Sequence, residues 1–260
     1  MEAKILALTQ DTPPAPLTHW TTRRMAKTVG VSHMTVARVW HRAGFKPHRL
    51  ERSLTSDDPD VETKAADVIG LYLAPPTNAV VFSIDEKTAI QALDQLDLVL
   101  PMSPGRAEQH GFEYKRNGTL SLYAALNVGT GAVEGMTAAH HTSAECLRFL
   151  DRVVATQSPR REIHLIADNL SAHKTKAIAA WLDAHPRVTL HYTPTDSSWL
   201  NQVELWFARI EREVIARGIF TSAVALRRQL MQYIRLHNKD CQPIQWAYSN
   251  PSHRIRAVRT

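Results

Sequence analysis

The sequence predicts an α/β protein, a mixed sheet flanked by helices, preceded by a small all-α unit. Three observations carry this. From residue 61 onward, β-branched runs alternate with stretches of helical periodicity. The first 52 residues hold nine Lys/Arg against three acids, so the net charge of +6 lies wholly in the first fifth of the 260 residues. Two apolar runs, "VVFSI" and "IHLIA", each end in an aspartate. With 44% hydrophobic residues the chain is long enough for one sizeable domain and an appendage. No apolar run has the length to cross a bilayer, and the N-terminus lacks the basic start and cleavage site of a signal peptide. Two distant cysteines, Cys146 and Cys241, make neither a disulfide framework nor a Cys-based zinc site. A reducing, cytoplasmic setting is expected.

In "HWTTRRMAKTVGVSHMTVARVWHRAG" the periodicity predicts two short helices joined by a tight turn. Thr21 or Thr22 caps the first and Gly30 stops it; Ser32 caps the second, which runs to about Ala43. Met25, Ala26 and Val29 face Val36, Val39 and Trp40. The arrangement resembles a helix-turn-helix over about twenty residues. Ser32, His33, Thr35, Arg38 and Arg42, with Lys46 and Arg49 in the basic connector "GFKPHRLER", are the candidate contacts to bases and phosphates of double-stranded DNA. The competing reading is a protein-docking hairpin with a solvated basic face. The polar, acidic "SLTSDDPD" marks a boundary. The expected division is residues 1–50 as a helix-turn-helix region, 51–78 as linker and connecting helix, and 79–260 as the large α/β domain; the family resemblance given below implies that the first is an incomplete DNA-binding region and the last a catalytic domain.

The connecting helix, "VETKAADVIGLYL", stops before Pro75 and Pro76. "NAVVFSIDE" predicts a central strand. "TLSLYAALNV" and "AVEGMTAAH" predict two more, joined by "GTG". "SAECLRFLDRVVAT" is helical, "EIHLIADN" a strand, "KTKAIAAWLDAH" a helix and "RVTLHYT" a strand. "LNQVELWFARIEREVIAR" predicts one long helix and "SAVALRRQLMQYIRLHN" a last amphipathic one. This order, three meandering strands and then alternating helices and strands, resembles the ribonuclease H-like fold.

An aspartate at the carboxyl end of a buried strand stands at the rim of the sheet, where open α/β sheets bind ligands. Asp85 and Asp168 have such places, and Glu86 is sent to the other face by the strand's period of two. In that topology Glu204, early in the long helix, reaches the same edge. Three carboxylates suit hard oxygen-binding cations. Two such ions about 3.5–4 Å apart promote phosphodiester transfer. The competing reading of Glu204 is a capping box with Asn201. Asp196 reads as a turn former, Trp199 and Trp206 as packing residues, and His140–His141 as no metal site.

"SIDEK", "IADNLSAHKT" and "YTPTDSSWLNQVELWF" closely resemble the three motif blocks of DDE transposases, in the bacterial insertion-sequence branch of the mariner-like superfamily. Between Asp168 and Glu204 lie 35 residues, a spacing typical of that class. The resemblance implies a ribonuclease H-like catalytic domain and Asp85, Asp168 and Glu204 as catalytic and metal-holding triad. It implies two Mg²⁺ or Mn²⁺ ions, terminal inverted repeats and TA-containing targets as DNA partners, and a homodimer in a synaptic complex associated with the nucleoid. Asn169, His173 and Lys174 match the second block; their roles divide between contacting phosphate or a ligand's surroundings and merely opening a helix. Lys115 and Arg116 are further candidate phosphate contacts or ordinary solvated charges. Full-length relatives carry two helix-turn-helix units where this chain has room for one, so an N-terminally shortened transposase is expected. The alternatives are an inactive DNA-binding relic that represses its element and a ribonuclease H-like nuclease.

Overall fold

Capping residues set the helices of the N-terminal unit in this computed structural model, which describes residues 1–47, 55–56, 58–97, 99–109, 111, 113–168, 175–245 and 256–257. The unit, Met1–Ser53, contains α1 (Glu2–Gln10), α2 (Thr22–Val29) and α3 (His33–Arg42). Thr21 caps α2 by accepting the Arg24 N–H, and Gly30 ends it at φ 74°, a left-handed conformation natural to glycine. Ser32 caps α3 by accepting the Thr35 N–H. Ile5, Trp20, Met25, Ala26, Val29, Val36, Val39 and Trp40 form the buried core. Helix α1 was not expected from its short apolar sequence. It is fixed from outside itself, by the burial of Ile5 and by the Trp40 indole donating to the Thr9 hydroxyl at 2.7 Å.

The second unit, Leu54–Thr260, begins with the two-residue strand β1 (Thr55–Ser56) and α4 (Val61–Leu73). Strands β2 (Ala79–Gln95), β3 (Tyr114–Asn127) and β4 (Val133–Ala138) meander, followed by α5 (Ser143–Ala155). Then come β5 (Glu162–Ala167), α6 (Lys176–Ala184), β6 (Val188–Tyr192), α7 (Val203–Ile210) and α8 (Ala223–His237). A last short strand, β7 (Arg256–Ala257), pairs in parallel with β1. The main sheet has the order β4-β3-β2-β5-β6; β2 is antiparallel to β3 and parallel to β5. Such a mixed sheet, with helices on both faces, is the expected architecture.

Alternation along β2 decides what covers each face. Val80, Phe82 and Ile84 pack with α5 and α6 through Phe149, Leu150, Val153 and Ile178. On the opposite face Val81 and Ile166 pack with Val68 and Leu71 of α4, while Ile90 and Ala92 pack with Phe207, Ile210, Leu226 and Leu230 of α7 and α8. The connecting helix α4 is therefore a layer of this unit rather than a spacer. Two elements differ from expectation. Strand β2 runs nine residues beyond Glu86, past a register slip between Lys87 and Ile90. The long helix is not continuous: α7 passes into a π-turn over Glu211–Ile215. Among the described residues no helix is long and apolar enough to cross a membrane.

A buried acid ties α4 to the loop after β6. Asp58, 6% exposed, accepts hydrogen bonds from Lys64 Nζ at 2.8 Å, the Asp60 N–H at 3.0 Å and the Thr195 N–H at 3.0 Å. Burial works against its charge, but these donors outweigh it and hold the carboxyl well below the usual carboxylate range. Asp58→Ala is expected to lower unfolding free energy by about 2–3 kcal/mol, the scale of hydrogen bonds to a charged group. Because the folded pKa is depressed, this contribution is complete above about pH 4, the unfolded value, and drains as pH falls through the folded one. Denaturant titrations of both proteins between pH 7 and pH 2 check this: the difference between them should shrink toward acid.

Candidate active site

The register of the parallel pair brings the two aspartates to one level. Ser83 of β2 stands opposite Ile166 of β5; two residues on come Asp168, just past the carboxyl end of β5, and Asp85, which lies within β2 rather than at its end as expected, because β2 continues to Gln95. Ser83 and Asp85 share the face of β2 that looks toward α7. Glu86 points to the other face, where its charge, after burial, helps push the Cys146 thiol up to about 12. Asp85 is 8% exposed, whereas Asp168 and Glu204 are half-buried.

Glu204 arrives through a strand-to-helix cross-link. The Ser83 hydroxyl accepts the Val203 N–H, the first in α7, at 2.8 Å and donates to the Asn201 side-chain oxygen. Asn201, fully buried, donates from its amide to the Ile84 carbonyl at 2.9 Å. Tyr72 of α4 adds a third strut, donating to the Leu200 carbonyl at 2.8 Å and accepting the Gln202 N–H at 3.2 Å. The capping box between Asn201 and Glu204 is not formed, because the Asn201 side chain is committed to β2 and the N-cap position falls on Gln202. Ser83, Asn201 and Tyr72 were not singled out from sequence as partners of the site. The signal available was a lone hydroxyl in "VVFSI" and an amide just before a helix.

The electrostatics bind the three acids into one system. Burial first, then the charge on Asp168, raises the Asp85 carboxyl well above the ordinary carboxylate range; Glu204 and Glu86 push the same way. The Glu86 N–H, donating to Asp85 Oδ1 at 2.7 Å, opposes them. Among the described residues, no three His, Cys, Asp or Glu side chains close up into a ready ligand shell for a metal. The donor set of Asp85, Asp168 and Glu204 nonetheless fits a hard divalent cation, since it offers only carboxylate oxygens and carries mutual repulsion that positive charge relieves.

Other candidates are dispersed. His33, Arg38 and Lys46 are exposed. Ser32 and Thr35 bond each other, hydroxyl to hydroxyl at 2.9 Å, and Arg42 pairs with Glu2 at 3.2 Å. Arg49, Asn169, His173 and Lys174 lie outside the described residues. Lys115 and Arg116 are exposed at the start of β3, with the Arg116 guanidinium 5.7 Å from the Tyr114 ring centre. Asp196 is exposed at φ 58°, a turn residue. Trp206 is core, and His140 and His141 are exposed.

A family profile for the DDE superfamily endonuclease matches residues 80–227, which contain all three acids. A Shigella sonnei protein, the insertion element IS630 uncharacterized 39 kDa protein, is 30% identical over 184 residues, covering 67% of this chain and 50% of its own length. The chain thus spans about half the length of that curated relative. The Mos1 mariner paired-end complex with Mn has a similar fold, with a TM-score of 0.60 at 14% identity, over 91% of this chain and 71% of that one. The Mos1 strand transfer complex aligns with a TM-score of 0.58 at 14% identity, over 90% and 70%.

Two outcomes follow from the geometry. Ser83→Ala leaves the Val203 N–H and the Asn201 side chain short of a buried partner, and should lower unfolding free energy by about 1–3 kcal/mol in denaturant titrations. Asp85→Asn should do the reverse in chelator-treated protein. With its folded pKa raised, Asp85 contributes stability that is complete below about pH 4 and lost as pH rises through the folded value. The Asn variant should therefore gain on the wild type as pH goes from 4 to 9, read as the difference in unfolding midpoint.

Proposed function

The chain belongs to the DDE superfamily endonucleases, and from that membership we propose that it is the transposase of an insertion sequence, cleaving DNA strands and transferring their ends. The observation that carries the reading is the coupling of Asp85, within β2, to Asp168 and Glu204 at the carboxyl end of the adjoining β5. The fold shared with the Mos1 complexes supports it, as does the IS630 relative.

Asp85, Asp168 and Glu204 would hold two divalent cations, Mg²⁺ or Mn²⁺; a mariner paired-end complex has been solved with each. Such ions, when bound, supply Lewis acidity to the attacking and leaving oxygens of a phosphodiester. The chain's own work is placement. Ser83 and Asn201 keep Glu204 level with Asp85, and the buried floor of β2 and β5 limits how far the carboxylates swing. In cleavage, water attacks the phosphodiester and a 3′-hydroxyl leaves; in transfer, that hydroxyl attacks a target phosphodiester and the target's own 3′-oxygen departs. Helix α3 presents His33, Thr35, Arg38 and Arg42 to the terminal inverted repeats, with Ser32 at its start and Lys46 and Arg49 following it. Joining two ends to one TA-containing target calls for a homodimer.

Purified protein should nick or join duplex DNA only with Mg²⁺ or Mn²⁺ present, and Asp168→Asn should reduce the rate about a hundredfold or more, the scale for losing a group that stabilises the transition state. The same variant should lose the rise in thermal midpoint that Mg²⁺ gives the wild type. Undiminished cleavage by a folded Asp168→Asn protein would remove the triad from the reaction.

A further inference from the structure

The face of β2 that carries Ser83 and Asp85 has one more polar position. Lys87 follows at the same period, about 6.8 Å further along the strand. Its ammonium pairs with Glu211 Oε2 at 3.0 Å. Glu211 lies seven residues beyond Glu204, so both ends of this pair sit one step past a triad carboxylate. Beyond Lys87 the face turns apolar, with Ile90 and Ala92 buried under α7 and α8.

Both partners stand at breaks in regular backbone. The β2–β3 register slips immediately after Lys87, and Ala89 adopts φ 54°, a conformation uncommon for a residue with a Cβ. Glu211 opens the π-turn that interrupts the long helix. Bulges re-aim side chains and π-turns gather at functional positions. The pair does little for the fold: the side chains are 31% and 42% exposed, and ion pairs so exposed contribute little to stability. β5 ends at Ala167 while β2 runs on to Gln95, so Lys87 stands on β2 beyond the end of β5, next along the face from Asp85.

Resting on the reading above, we propose that Lys87 is a phosphate-binding residue for the DNA strand at the triad, and that Glu211 holds its ammonium until a phosphate displaces it. The lysine is a point charge on a flexible stem, suited to exchanging one anionic partner for another. Glu211 then acts as a competitor that sets the threshold for engagement, and the two residues have opposite effects on DNA affinity. A purely structural pair would instead be lost equally from either side.

The test uses the full chain with a short duplex and Mn²⁺, comparing wild type, Lys87→Ala, Lys87→Arg and Glu211→Gln. Lys87→Ala should raise KM and the DNA dissociation constant roughly threefold to tenfold, with the salt slope reduced by about one. Lys87→Arg should restore most of this. Glu211→Gln should tighten binding at low salt, and the thermal midpoints of all three should stay near the wild type's. An active wild type whose Lys87→Ala variant keeps its KM and salt slope overturns this proposal alone. So does an equal loss of DNA binding in Lys87→Ala and Glu211→Gln. A folded wild type that neither binds nor cleaves DNA overturns this proposal and the transposase reading together.

Discussion

The Ser83 hydroxyl takes the first N–H of α7 and gives its proton to Asn201, and that buried junction sets where Glu204 stands. A helix start normally satisfies its orphan donors locally. Here the cap comes from a strand 120 residues earlier. The start of the helix is therefore tied to β2, and its register against Asp85 is set by those bonds. Tyr72 extends the same logic to α4, so three elements meet at Leu200–Val203.

That junction has something to resist. Like charges about 4 Å apart repel by roughly 1 kcal/mol in water and several times that at the effective dielectric of a protein edge. Asp85 feels burial and three further carboxylates together, and its raised proton affinity registers the sum. Packing outweighs it. Val203, Trp206, Phe207 and Ile210 are all buried on the sheet side of α7, and burying each such side chain contributes on the order of 1.5–3 kcal/mol. The apolar stripe around Glu204 is thus what lets an acid be held where electrostatics alone would expel it.

How much of this was legible follows from which forces act locally. Strands and helices that alternate or repeat over many residues, such as β5, β6 and α5, follow from their side-chain period. So does the place of Asp168, because a charge ending an apolar run has only the rim to go to; Asp85 was read the same way but lies within β2, level with the point where the neighbouring β5 ends. What escaped depended on a partner far along the chain. Helix α1 exists through Trp40 and the core it shares with α2 and α3. The extension of β2 was hidden because the bulge at Thr88–Ala89 breaks the alternation by which a strand is recognised. The π-turn inserts one residue into a helical period, which a sequence pattern read at 3.6 residues per turn absorbs without notice. Asn201 looked like a helix cap because nothing nearby in sequence reveals that Ser83 and Ile84 claim its amide.

The charge distribution differs between the two units. Beyond residue 52 basic and acidic residues balance, and the site itself concentrates negative charge. Such a surface has no net attraction for a polyanion, and at its carboxylates it repels one. If DNA is the substrate, affinity must come from somewhere else, and the excess of positive charge lies wholly within the unit built on α1–α3. The catalytic edge then needs only enough local positive charge to steer a strand already tethered, together with cations to quench the carboxylates. On the transposase reading proposed above, grip and chemistry would carry opposite charge, and an acidic site would not bind DNA by itself.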